Sequence, residues 1–283
     1  MATNGHLSDE KGQVTPLWAD TLIELVKNEV GLVITGHFCV DKMQRADAGQ
    51  PVLDEATDES LLRRACDGVH RYGGKLFFQL SHSGIKGLES VNGAPPKHPE
   101  DFSLEELDRL VAQFAFAAKR CKDCGADGVQ IHNAHGYLLS NFLNPEENLR
   151  TDEYGGSLAN RFRLIERILR AVRAACGTEF PMIVKADSNG CGDLSALLRL
   201  YERCGVDGAE VSGIDFNRRA GQKTPFYLDA LICEPDFAAK LKSGAQDGSK
   251  CLACNGCYTI YRKRFVRCVQ HQDEIEQFKT IPR

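Results

Sequence analysis

Two histidines and a tyrosine lie within one short stretch of the chain, HNAHGY, as His132, His135 and Tyr137. Two imidazoles three residues apart could donate hydrogen bonds to one carbonyl oxygen. A phenol, with a reference pKa of about 10, is a weak acid. Tyr137 is therefore better suited to protonating a carbanion-like carbon than to acting as a base at neutral pH. The pattern predicts a site that polarises a carbonyl group and delivers a proton.

The histidine pair has a second interpretation, because His-x-x-His together with a carboxylate can bind zinc. The HExxH motif of many zinc enzymes is absent from the sequence, and the pair is expected where a strand ends rather than on a helix. Zinc at this pair is the less favoured alternative.

The elements that would position these residues form a β/α repeat. Runs that are apolar on both faces are typical of buried parallel strands, and five such runs occur, at residues 30–40, 75–84, 127–135, 180–188 and 207–214. Helical patterns lie between them, and one opens on Ser103 with Glu106 three residues later, which predicts a capping box. The repeat predicts a parallel sheet with short connections.

Each predicted strand carries polar residues, and the first also a glycine, toward its carboxyl end. They are Gly36, His37, Gln79, His82, His132, His135, Lys185, Asp187, Glu210 and Ser212. In a closed β/α barrel the carboxyl ends of the strands form the active face. Any one of these side chains could merely satisfy a loop backbone group, but their recurrence on five strands favours one shared site. The amide of Gln79 could bind a heterocycle with C=O and N–H groups, and Lys185 could hold negative charge on such a ring.

The overall composition fits a globular protein of 283 residues, with 42% hydrophobic and 26% charged residues. A formal net charge of −4 does not suggest nucleic acid or an anionic membrane as a partner. No apolar run approaches the roughly 20 residues that span a bilayer, and no signal-peptide pattern occurs. The expected location is therefore the cytoplasm.

Twelve cysteines are a high count, but cytosolic thiols stay reduced, so a disulfide scaffold is not expected. Most of the eight scattered cysteines are expected to be small buried apolar residues; they are Cys39, Cys66, Cys121, Cys124, Cys176, Cys191, Cys204 and Cys233. The remaining four, Cys251, Cys254, Cys257 and Cys268, have the spacing C-x2-C-x2-C-x10-C. Such a group suits an Fe–S cluster or tetrahedral zinc, or it is a set of uncoordinated thiols.

The long stretch GVQIHNAHGYLLSNFLNPEENLRTDEYGGSLANRFR resembles the signature of the Old Yellow Enzyme family, the FMN-dependent NADH:flavin oxidoreductases and ene-reductases. The segments GLVITG, KLFFQLSHSG, FPMIVKADSNG and GVDGAEVSG match the family's other strands in order. The resemblance implies an α/β fold, a TIM (β/α)8 barrel over residues 1–240, followed by a Cys-rich C-terminal extension over residues 241–283.

The resemblance also implies roles for individual residues. Thr3 and Gly36 would contact the flavin ring of FMN, Gln79 would hydrogen-bond its pyrimidine edge, and Lys185 would lie near its N1/C2 oxygen. His132 is implied to lie against both the cofactor and the substrate.

On the substrate side of the same pocket, His132 and His135 would polarise the carbonyl group of an enone or enoyl thioester. Tyr137 would donate a proton to its α-carbon while the flavin N5 hydride reaches the β-carbon. NAD(P)H would first reduce the flavin in this pocket, so no separate dinucleotide-binding motif is required.

The C-terminal stretch LICEPDFAAKLKSGAQDGSKCLACNGC resembles the branch that includes bacterial 2,4-dienoyl-CoA reductase. In that branch four thiolates hold a [4Fe–4S] cluster that passes electrons to FMN, usually with one more residue between the second and third cysteine. A cluster here would need an electron-transfer partner or a further domain. A homo-oligomer is the other association expected.

The sequence departs from the family pattern between TPFYLDA and ALICEPDF, where two β/α units are expected and Leu228-Asp229 stands in place of a phosphate-binding Gly-Arg pair. Three functions therefore stay open. One is an FMN-dependent NAD(P)H oxidoreductase that reduces an activated C=C bond, favoured by Tyr137 beside two histidines. The second is an amine dehydrogenase or demethylase with flavin and [4Fe–4S]. The third, favoured by the missing units, is an inactive truncated barrel without bound flavin.

Overall fold

A computed structural model describes residues 7–187, 193–212 and 236–245 of the protein. Strands and helices alternate through most of this length. In chain order the elements are α1 Pro16–Lys27, β1 Leu32–Cys39, α2 Glu59–Arg71, β2 Lys75–Ser81, α3 Glu89–Asn92, α4 Leu104–Asp123, β3 Gly128–Asn133, α5 Leu138–Leu143, α6 Leu158–Cys176, β4 Met182–Asp187, α7 Leu194–Arg203, β5 Gly208–Ser212 and α8 Phe237–Ser243, with short 3₁₀ turns at Gly84–Lys86 and Pro99–Asp101.

The five strands form one parallel sheet in the order β1-β2-β3-β4-β5, which confirms the predicted strands. Its register sets polar residues side by side, because Gln79 pairs with Gln130 and Lys185 pairs with both His132 and Glu210. Within β1 the register shifts between Ile34 and His37. A bulge of this kind bends the strand locally.

The helices begin where the sequence provides caps. Ser103 accepts from the backbone of Glu106, whose carboxylate accepts from the backbone N–H of Ser103, so the predicted capping box is confirmed. Helix α1 was not among the predicted elements; it begins with Pro16 in its first turn. Its Trp18 closes the core against Phe38 and Phe78, with ring centroids 5.7 and 6.0 Å apart.

The six cysteines in the described part of the chain are buried and free, as predicted; they are Cys39, Cys66, Cys121, Cys124, Cys176 and Cys204. Burial raises the pKa of the Cys39 and Cys66 thiols to about 12. A thiol held in its neutral form behaves as an inert apolar side chain. No helix among the described residues is long and apolar enough to cross a membrane.

Several predictions concern residues outside the described ranges. They involve Thr3, the segment around Leu228-Asp229, and the four clustered cysteines Cys251, Cys254, Cys257 and Cys268. The closure of the eight-stranded barrel and the domain boundary after residue 240 likewise stay predictions.

Candidate active site

The carboxyl ends of β1 and β3 bring four rings together. The centroid of His132 lies 5.3 Å from that of His135 and 5.0 Å from that of Tyr137. His37 lies 4.9 Å from Tyr137 and 5.7 Å from His132. The three residues predicted to act together therefore do lie together, and His37, which was placed at a strand end without a role, lies against them.

His132 is fully buried, yet neither of its ring nitrogens has a hydrogen-bond partner among the described residues. Buried polar groups in proteins are almost always hydrogen-bonded, so two unpaired nitrogens on one buried ring need an explanation. A ligand that bonds to this imidazole supplies one.

The three imidazoles are neutral at pH 7. Burial lowers the pKa of His37 to about 3 and that of His135 to about 4, and it takes the pKa of His132 well below the usual value. Nearby cations, including Lys185 at His132 and His135, lower these values further. A neutral imidazole has one N–H donor and one acceptor nitrogen. The histidines are therefore suited to donating hydrogen bonds rather than to giving up a proton.

Gln50 fixes the tautomer of His37, and nothing in the sequence pattern singled it out. Its Oε1 accepts from the backbone N–H of Ala46 at 2.6 Å, so its Nε2 is the atom that faces His37 Nδ1 at 3.0 Å. An amide nitrogen can only donate, so Nδ1 accepts and the proton of the neutral ring is on Nε2. Ser81 Oγ lies 2.8 Å from the same Nδ1.

A chain of polar side chains crosses the sheet beside the ring cluster. Glu210 forms an ion pair with Lys185 and accepts from Gln130 Nε2 at 2.9 Å. Because a carboxylate can only accept, Gln130 turns its Oε1 toward Gln79, whose Nε2 donates to it at 2.5 Å. Gln79 Oε1 is thereby left as a buried acceptor with no partner in the described part of the chain.

The segment after β3 makes a left-handed turn and then a short helix. His135 has φ +63° and Gly136 has φ +69°. Helix α5 follows, with Tyr137 as its N-cap residue; this helix was not among the predicted elements. The N–H of Leu138 is satisfied by the carbonyl of His82 at the end of β2. This tertiary bond is invisible in the local sequence.

The chain also matches known proteins. The model of the NADH:flavin oxidoreductase / NADH oxidase family matches residues 1–188. The chain belongs to this family. A "NADH oxidase" of Thermoanaerobacter brockii is 33% identical over 196 residues, covering 64% of this chain and 30% of that protein. A "NADPH dehydrogenase" of Halalkalibacterium halodurans is 31% identical over 216 residues, covering 71% of this chain and 64% of that protein.

The chain thus spans between about a third and two thirds of the length of these two relatives. Among solved structures, an old yellow enzyme homologue from Zymomonas mobilis superposes with a TM-score of 0.73 at 20% identity, covering 94% of this chain and 91% of that one. A 2-naphthoyl-CoA reductase complex gives a TM-score of 0.80 at 20% identity, covering 93% and 53%. The parallel α/β sheet is that of the TIM-barrel flavin oxidoreductases, as predicted.

The residues present fit the flavin that this family implies. The unpartnered acceptor Gln79 Oε1 suits an N–H group of a heterocycle. Lys185, at the other end of the same polar chain, is buried, with 7% of its side chain exposed. Gly36 lies in the β1 bulge between Ile34 and His37, where a glycine leaves room for close approach to the backbone. These are three of the residues predicted to contact FMN.

A metal at the histidine pair finds no support in the described part of the chain. No group of three or more His, Cys, Asp or Glu residues there could hold an ion. His135 instead has Ser212 Oγ at 2.8 Å from its Nε2 and the carboxylate of Asp187 at 3.9 Å.

Lys86 was missed by sequence reasoning, although it lies beside the ring cluster. It ends the 3₁₀ turn after β2, and its Nζ lies 5.1 Å from the centroid of the Tyr137 ring. Burial lowers its pKa, and Asp187 and Glu147 oppose that shift. No motif marks such a lysine, because only the fold brings it to the tyrosine.

Proposed function

We propose that the protein is an FMN-dependent NAD(P)H oxidoreductase that reduces the activated C=C bond of an enone or enoyl thioester. The observation that carries this proposal is the buried His132, with both ring nitrogens unpartnered, lying 5.0 Å from the Tyr137 ring. The His132 imidazole can bind a polar atom of a ligand, and the Tyr137 phenol beside it can act as an acid. Family membership and the partner-free acceptor of Gln79 support flavin as the cofactor.

The chain's own residues would divide the work between binding and proton transfer. His132 and His135, both neutral, would each donate a hydrogen bond to the substrate carbonyl oxygen, where negative charge develops. Tyr137 would give its phenolic proton to the α-carbon. FMN, when bound, supplies the hydride.

On the cofactor side, Gln79 would accept from an N–H of the ring and Lys185 would face its electron-rich edge. The ion pair with Glu210 holds Lys185 in place and partly offsets its charge. The Gln130 bridge then fixes which end of the Gln79 amide meets the ring.

The finer assignments belong to the same proposal. An enoyl thioester is suggested by the solved neighbour, whose title names a complex with 2-naphthoyl-CoA. A [4Fe–4S] cluster on Cys251, Cys254, Cys257 and Cys268, with zinc as its alternative, is proposed from their spacing. A cytoplasmic location and an electron-transfer partner are proposed with it.

The test is a steady-state assay under argon with the FMN-loaded protein, NADPH or NADH, and 2-cyclohexen-1-one. We expect enone-dependent consumption of the nicotinamide and one saturated ketone formed for each nicotinamide consumed. Nicotinamide oxidation that needs dioxygen and yields no ketone would contradict the proposal.

A further inference from the structure

We propose that Lys86 and Asp187 are positioning residues that bind the backbone C=O and N–H of His135, respectively, and so fix His135 and Tyr137 together. This inference rests on the proposed function for its catalytic meaning. The three segments involved leave adjacent strands, because Lys86 follows β2, the turn follows β3 and Asp187 ends β4.

Both backbone polar groups of His135 are bound by charged side chains. Its N–H donates to Asp187 Oδ2 at 2.5 Å, and its C=O accepts from Lys86 Nζ at 2.5 Å. Charge-assisted hydrogen bonds are stronger than neutral ones. Lys86 and Asp187 also carry opposite charges and attract each other, since Asp187 is among the charged groups that act on the Lys86 ammonium.

The conformation of the turn requires such support. His135 has φ +63° without being glycine, a conformation that L-residues adopt only when their surroundings impose it. The stem of Lys86 lies directly on the turn, since a Cβ added to Gly136 would come within 3.2 Å of Lys86 Cε. Loss of the charged contacts would release His135 toward ordinary backbone angles.

Lys86 also reaches the proton donor. Its ammonium lies 5.1 Å from the centroid of the Tyr137 ring, within the range of a cation–π contact. One side chain therefore contacts both the backbone of His135 and the ring of Tyr137. This makes the distance between the carbonyl-binding imidazole and the acid dependent on Lys86.

The first arm of the test is amide hydrogen exchange at His135 in the flavin-free protein. Lys86→Met removes the donor to the His135 carbonyl but leaves the acceptor of the His135 N–H, Asp187, in place. If the two contacts act as one clamp, the His135 amide should exchange about tenfold faster or more, and Lys86→Arg should restore most of the protection. Unchanged exchange in folded Lys86→Met would overturn the inference.

The matched control is Lys97→Met. Lys97 also lies over an aromatic ring, with Nζ 4.7 Å from the Phe102 centroid, and its Nζ also donates a hydrogen bond, here to the Glu106 carboxylate at 2.5 Å. Its loss should leave the His135 amide within about twofold of the wild-type rate.

The second arm uses the FMN-loaded protein. Lys86→Met should slow reoxidation of the flavin by 2-cyclohexen-1-one by about tenfold or more and leave its reduction by NADPH within about twofold. Equal losses in both half-reactions would contradict the positioning role. If the protein bound no flavin, the proposed function would fail while the exchange arm still decided the inference.

Discussion

The chemistry of single residues in this site depends on burial. Burial keeps His132 and His135 neutral at pH 7, so they can donate to an oxygen without competing with Tyr137 as acids. The sequence showed these three residues, because their spacing is local. It did not show Gln50 or Gln130, since their roles depend on partners 13 and 80 residues away.

Removing the phenol tests the division of roles. Tyr137→Phe keeps the ring against His37 and His132 but removes the acidic proton. We expect reoxidation of the reduced flavin by an enone to slow by about 10²-fold or more, the usual contribution of a general acid. Reduction of the flavin by NADPH should be nearly unchanged, and stopped-flow absorbance under argon measures both rates.

Equal loss in the two half-reactions would show that Tyr137 acts in folding or flavin binding instead. His37→Gln is a comparison variant, because it alters the contact between residue 37 and the Tyr137 ring while leaving the phenol in place.

The buried histidines also predict how stability depends on pH. The pKa of His37 falls from 6.5 in the unfolded chain to about 3, so between these values the unfolded state binds more protons. Stability should therefore rise with pH across this window, by up to about 1.4 kcal/mol per pH unit for this one group. His135 and His82, whose pKa values fall to about 4, add to the slope above that pH.

Asp187 works in the opposite direction, because burial raises its pKa from 3.8 to about 6 and the folded state then binds the extra proton. Urea unfolding at about pH 4, 5 and 6 measures the net slope. His37→Gln should make the slope shallower by up to about 1.4 kcal/mol per pH unit, and an unchanged slope would show that His37 titrates normally.

At the scale of elements, the strand ends and the turns after them position the site. The apolar runs predicted all five strands, and the Ser103–Glu106 spacing predicted the start of α4. Helix α5 was missed because it has only six residues and its first N–H bonds to the carbonyl of His82. Tertiary contacts of this kind override local propensity.

Gly84 and Gly93 form a matched pair for testing the contact between the β2 end and α5. Both have positive φ, +58° and +66°, so an alanine at either pays a backbone cost of about 1 kcal/mol. A Cβ at Gly93 meets nothing within 4 Å, whereas at Gly84 it would meet the Leu138 Cα at 2.8 Å and the Asn141 Oδ1 at 2.7 Å.

Gly84→Ala should therefore lose about 1–3 kcal/mol more than Gly93→Ala through overpacking, and it should also slow enone reduction by moving Tyr137. Urea unfolding and the enone assay measure the two effects. Equal destabilisation by both substitutions would mean that α5 moves away from the added Cβ at residue 84 without a measurable cost in stability.

At the scale of the whole molecule, the family and the sheet agree with the sequence. A parallel sheet followed from the β/α repeat, and membership in the NADH:flavin oxidoreductase family follows from the match over residues 1–188. The polar chain from Gln79 to Glu210 could not be predicted, because register is a property of paired strands rather than of either strand alone. Leu228-Asp229 stands where the family's phosphate-binding Gly-Arg pair was expected. Whether the protein retains flavin is therefore the property that decides between the flavin-dependent functions and the inactive barrel.

The most direct test of the account is to mix the NADPH-reduced, FMN-loaded protein with 2-cyclohexen-1-one under argon and follow the visible absorption of the flavin. We predict that the oxidised flavin spectrum returns and that one saturated ketone forms for each flavin. A protein that holds no flavin, or a flavin that stays reduced until dioxygen is admitted, would contradict the account.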